Sequence, residues 1–112
     1  MESNLKNSLV EYFEALEAFN KDPNRFKSSR VPEPSRKVFD RFFKAREDLY
    51  VVSASSTNQI AQAWAKAHKA AEECPQLMLD HKHTEASERM AVLKRAEAQL
   101  YTLLREKSDG TF

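Results

Sequence analysis

Two groups of residues in this 112-residue chain have the type and spacing for chemistry, and both contain histidine. His81-Lys82-His83, with Asp80 beside it and Cys74 upstream, gathers side chains that ligate transition metals. Histidines separated by one residue fall on nearly opposite sides of a helix, and this spacing fits no four-ligand structural zinc pattern. An exposed turn is expected there, with no metal and no other cofactor. His68 and Glu72 stand four residues apart, so on a helix the carboxylate lies beside the imidazole, as a hydrogen-bonded general base requires. Cys74 follows Glu72 and Glu73, whose charges disfavour a reactive thiolate. The single glycine, Gly110, leaves no glycine-rich phosphate loop or dinucleotide-binding turn. No nucleophile, base and orienting group come together, and the chain is read as non-enzymatic.

Ala67-His68 also resembles the Ala-His pair of histidine phosphotransfer bundles, which would imply an exposed phosphoacceptor histidine. In that family a lysine and a glycine follow. Here Lys69-Ala70-Ala71 puts the lysine at a different spacing and supplies no glycine, so the resemblance covers two residues.

Charge and aromatic residues give the binding candidates. The net charge is +1, unevenly spread: residues 1–20 carry four glutamates and one lysine, whereas residues 21–46 carry nine basic and three acidic residues. Within that block, Arg25-Phe26-Lys27-Ser28-Ser29-Arg30-Val31-Pro32-Glu33-Pro34 interleaves cations with a ring, as single-stranded nucleic-acid surfaces do. The simpler expectation is that Phe26 and Val31 pin this loop to the protein while its cations stay solvated. A nucleic-acid surface, the alternative function, would use Arg25, Lys27, Arg30, Arg36, Lys37, Arg41 and Lys44. The leading expectation is a protein-binding module, an adaptor, inhibitor or assembly factor acting as a homodimer. Its candidate anchors are Phe39, Phe43, Tyr50 and Trp64, because aromatic residues dominate binding hot spots.

The elements that position these residues are helical. Between Pro34 and Pro75 no glycine or proline intervenes, and Val38, Phe42, Ala45, Leu49, Ile60, Trp64, Ala67 and Ala71 form one apolar stripe. The eleven residues from Leu49 to Ile60 are about three turns at 3.6 residues each, so the stripe keeps its phase. The segment reads as one long helix or two nearly collinear ones. Val51 to Asn58 is rich in β-branched and hydroxyl residues, and a break or kink is expected near Ser53 to Asn58, with Ser56 and Gln59 as a capping box. Ser35 is the expected cap at the segment's start.

A first helix from Ser3 or Asn4 to Asn20 carries Leu5, Leu9, Tyr12, Leu16 and Phe19, widened by Phe13. Pro75 ends the central segment, Leu77, Met78 and Leu79 make a turn closing one end, and a last helix runs from Thr84 to Lys107. Its stripe is Ala86, Met90, Leu93, Ala96, Leu100 and Leu103 or Leu104, flanked by Tyr101. Residues from Ser108 to Phe112 are expected to fray. Eight of the eleven aromatic residues lie between Tyr12 and Tyr50, which predicts a thick aromatic core, while the alanines around Trp64 invite close approach of another helix.

The fold expected is all-α, one domain over residues 1–112. Three main helices, the middle one long or kinked, pack as an antiparallel bundle that a second copy could complete. The lone cysteine fits a reducing, cytoplasmic setting, and no apolar run suits a membrane span.

Overall fold

The computed structural model describes residues 3–108, and within them the secondary structure is helical throughout. Four main helices, α1 (Ser3–Lys21), α2 (Glu33–Ala54), α3 (Gln59–Ala71) and α5 (His83–Ser108), are joined by loops and by a short α4 (Cys74–Leu79). Of the tail expected to fray, Ser108 is the last residue of α5, and residues 109–112 lie outside the described residues.

The principal correction concerns the middle of the chain. Along a straight helix Tyr50 and His68 would stand about 27 Å apart at 1.5 Å per residue, yet their ring centroids are 5.2 Å apart. The chain folds back, and α2 and α3 form an antiparallel hairpin. The expected capping box is replaced by a different cap. Asn58, not Ser56, is the N-cap of α3, its Oδ1 accepting from Ile60 N at 2.9 Å and Ala61 N at 3.1 Å. Ser56 acts one step earlier: its Oγ accepts from Asn58 N at 3.0 Å, and its carbonyl accepts from Gln62 Nε2. At the end of α2 the Ser55 hydroxyl donates to the Val51 and Val52 carbonyls. Hydroxyls and an amide thus satisfy the backbone groups that a turn between two helices leaves without helical partners.

The bundle is up-down-up-down. α1 packs on α2, α2 on α3, α3 on α5, and α5 closes back on α1 by a sparser contact. Its 42 × 35 × 19 Å dimensions leave room for two layers of helices across the thin direction. Leu5, Leu9, Tyr12, Phe42, Ala45, Leu49, Ala61, Trp64, Ala96 and Leu100 form one core. The aromatic thickening is present: Phe19 stacks on Phe42 at 4.8 Å, and Tyr12 meets Trp64 edge-on at 5.8 Å. Ala61, Ala65 and Ala67 are buried in α3, and the helices they admit are α5 and α2 of the same chain.

A second, smaller cluster of Cys74, Leu77 and Ala86 fixes α4 to the start of α5. Pro75 lies in the first turn of α4, where its missing N–H costs nothing, so it opens that helix as well as following the end of α3. Of the three residues expected to close the bundle's end, only Leu77 is buried; Met78 and Leu79 face solvent.

Candidate functional site

His81, Lys82 and His83 are all exposed; His81 and Lys82 make the C-terminal stop of α4, and His83 opens α5. His81 takes φ 60°, while His81 N donates to Met78 O at 3.1 Å and Lys82 N to Leu77 O at 2.7 Å. This is a Schellman motif with histidine where glycine is usual. The two imidazoles stand 6.1 Å apart. Cys74 is turned away into the small cluster, its thiol 3.6 Å from Ala86 O. Among the described residues no three His, Cys, Asp or Glu side chains gather as metal ligands would.

His68 is held between two rings, stacked on Trp64 at 5.1 Å and against Tyr50 at 5.2 Å. Its side chain is 12% exposed, and Nε2 is 3.8 Å from Glu72 Oε1, too far for a hydrogen bond. Burial is the main force lowering its pKa, and the nearby Arg46 cation adds to it. The partly buried imidazole packs between the two rings and borders an open pocket with Arg46, Glu72 and Met90.

The four candidate anchors lie in different environments. Trp64 is 1% exposed at the centre of the bundle. Tyr50 and Phe39 are half-buried, Phe39 lying edge-on to Phe19 at 5.4 Å. Phe43 alone offers a large free surface, 47% exposed, with the Arg46 guanidinium 5.3 Å from its ring. A docking protein reaches Phe43 directly and Trp64 only by opening the bundle.

The basic candidates also divide. Arg41 crosses to α1, where Nη2 pairs with Glu11 at 2.7 Å and Glu14 at 3.4 Å, and the Arg41 hydrogen bond holds the Glu11 carboxyl below its usual range. Lys44 pairs with Asp48 at 2.8 Å and Lys37 with Glu33 at 3.7 Å. These three lie on the solvent face of α2 with partial charge balance. Arg25, Lys27, Arg30 and Arg36 sit in or beside the α1–α2 loop, where Phe26 is 87% exposed and does not pin the loop. Val31, its expected companion, is half-buried.

What holds the loop is polar. Asp22 and Ser35 are buried; Ser35 Oγ donates to Asp22 Oδ1 at 2.9 Å and accepts from Asn24 Nδ2 at 2.9 Å. Asn24 N donates to the same Asp22 oxygen at 2.8 Å. Ser35 is therefore no cap. The N-cap of α2 is Pro32, whose carbonyl accepts from Arg36 N at 3.0 Å.

One surface has no forerunner in the sequence reading. Between α1 and α5 runs an open cleft of about 660 Å³, walled on one side by Val10, Phe13, Glu14, Leu16, Glu17, Asn20 and Lys21, and on the other by Lys94, Glu97, Ala98, Tyr101 and Leu104. Its floor is tied by the Tyr12 hydroxyl, which donates to Glu97 Oε2 at 3.1 Å, and by Phe13 edge-on to Tyr101 at 5.3 Å. Burial, with the Glu97 charge adding to it, pushes the Tyr12 phenol above its ordinary range. Phe13 and Tyr101 each stand one position off the main stripe of their helix. That offset was the available signal, and it reads equally as a broader core.

Compared with protein-family models, curated proteins and solved structures, the chain matches none of them. Among the described residues no helix is long and apolar enough to cross a membrane.

Proposed function

We propose that this chain is a non-enzymatic helical protein-binding module that works as a homodimer, with the α1–α5 cleft as its docking surface. The observation that carries this reading is the cleft itself. Val10, Phe13, Leu16, Tyr101 and Leu104 give this open seam an apolar lining drawn from two helices. A second copy suits it: a two-fold pairing that sets α1 of one copy beside α5 of the other lays the apolar lining of each helix on that of the other, and a two-fold interface needs such self-complementarity. Tyr101, 47% exposed with Arg105 over its ring, is the natural anchor there. An adaptor, inhibitor or assembly factor of the cytoplasm fits this architecture, with Phe43 on α2 left for a further protein partner.

Light scattering coupled to size exclusion, from about 5 to 500 µM protein, tests the proposal. A dimeric mass is expected for the native chain and a monomeric one for Tyr101→Glu and Ala98→Arg, both at exposed positions, with helix content unchanged. A monomer at every concentration overturns the homodimer. If Phe43→Glu dissociates the dimer and Tyr101→Glu does not, the interface is the α2 face and the cleft assignment falls.

A further inference from the structure

The α1–α2 loop presents an aromatic ring to solvent on a fixed base. Phe26 has 87% of its surface exposed, and the Arg25 guanidinium lies 4.6 Å from its centroid. Water solvates such a ring poorly, and a loop whose ring served stability would bury it. The backbone beneath it is not free to wander. Asp22, Asn24 and Ser35 form the buried polar clamp, Arg25 Nη1 donates to Asp22 O at 3.0 Å, and Lys27 N donates to Asn24 O at 2.9 Å.

The loop that carries the ring is rich in cations: Arg25 stands over it, and Lys27, Arg30 and Arg36 follow along the chain. Whereas Lys37, Arg41 and Lys44 on α2 are matched by carboxylates, Lys27, Arg30 and Arg36 make no ion pair among the described residues. Arg30 also occupies the left-handed region at φ 55°, where glycine costs less than a side chain. The chain places a cation there at a conformational cost.

We propose that this loop is a binding surface for single-stranded nucleic acid, in which a base stacks on Phe26 beside Arg25 while Lys27, Arg30 and Arg36 meet the phosphates. A flat exposed ring on a loop with unmatched cations suits an unstacked base on an anionic backbone. An acidic protein segment would use the cations and leave the ring idle. None of the residues it uses lines the α1–α5 cleft, so it stands or falls independently of the homodimer.

Fluorescence anisotropy with a labelled twelve-nucleotide mixed-sequence strand, as DNA and as RNA, tests this between about 20 and 300 mM salt. Binding is expected at low salt, with log affinity falling against log salt at a slope near −2 for three phosphates at about 0.7 each. Phe26→Ala should weaken binding by about 5- to 150-fold, the range that loss of one stacked base produces. Its thermal unfolding should not change, because the ring buries little. Combined replacement of Lys27, Arg30 and Arg36 by serine should flatten the salt slope, while Tyr101→Glu in the cleft should leave affinity unchanged. An abasic strand of the same length should bind more weakly and be indifferent to Phe26→Ala. Absence of binding at 20 mM salt overturns the proposal. So does equal binding of the abasic strand, which would reduce the surface to a polyanion attractor, or an acidic peptide that binds as tightly as the strand.

Discussion

Replacing Ser35 by alanine removes one atom, Oγ, that serves two partners thirteen and eleven residues away in sequence. It donates to Asp22 Oδ1 and accepts from Asn24 Nδ2, each at 2.9 Å, at a residue only 5% exposed. A bond to a charged acceptor contributes about 1.5–3 kcal/mol and a neutral one about 0.5–1.5. Alanine returns roughly 0.5 kcal/mol through better helix propensity. The Asp22 oxygen keeps its bond from Asn24 N, which limits the unpaired charge that the variant leaves behind. The net loss should be about 2 kcal/mol, equivalent to roughly 8 °C in Tm for a chain of this length. Urea titration followed by the emission of Trp64, the one tryptophan, measures it. Amide exchange should locate it, with protection falling from Asp22 to Ser35 and holding in α3 and α5. A destabilisation under about 0.5 kcal/mol, or one spread evenly over the bundle, would refute the claim that this clamp fixes the loop.

Three further outcomes follow from the geometry. His68 has a lowered pKa, so its contribution to stability is fully present above the unfolded imidazole value near 6.5 and is lost as pH falls below it. Unfolding free energy should decline from pH 7.5 to 5 in the native chain and flatten in His68→Phe; equal slopes would remove His68 as the cause. His81→Gly should raise stability by up to about 1 kcal/mol by relieving the positive φ at the end of α4, measured by thermal unfolding, and a loss would contradict the Schellman assignment. Asn58→Ala should cost about 1 kcal/mol by removing the cap of α3, whereas Asn58→Ser should restore most of it.

The apolar stripe was legible because burial follows helical period: Phe42, Ala45, Leu49, Trp64 and Ala67 are all interior, as their spacing required. The fold-back between Leu49 and Ile60 was not. Two helices that turn toward one another lay their stripes on a common core, and a straight helix keeps its stripe on one side, so an in-phase pattern describes both. Only the local chemistry of Ser55, Ser56 and Asn58 separates the cases. The loop clamp was hidden for another reason. Asp22 and Ser35 look like ordinary solvated turn and cap residues until the chain brings them together, and Phe26, read as a pin, has no pocket to enter. The cleft was hidden by ambiguity, since Phe13 and Tyr101 sit where a wider core and an open seam look the same.

The pairing order of the helices bears on how the chain folds. α1 with α2, α2 with α3, and α3 with α5 through α4 are contacts between successive segments, and such local pairings close quickly. The α1–α5 seam joins the two ends of the chain. Its Tyr12–Glu97 hydrogen bond spans 85 residues, and closing so long a loop costs the most entropy. The seam should therefore form last during folding and open first during fluctuation. A docking surface built there would sit where the bundle yields most readily, so an incoming helix could widen the seam without unfolding either hairpin.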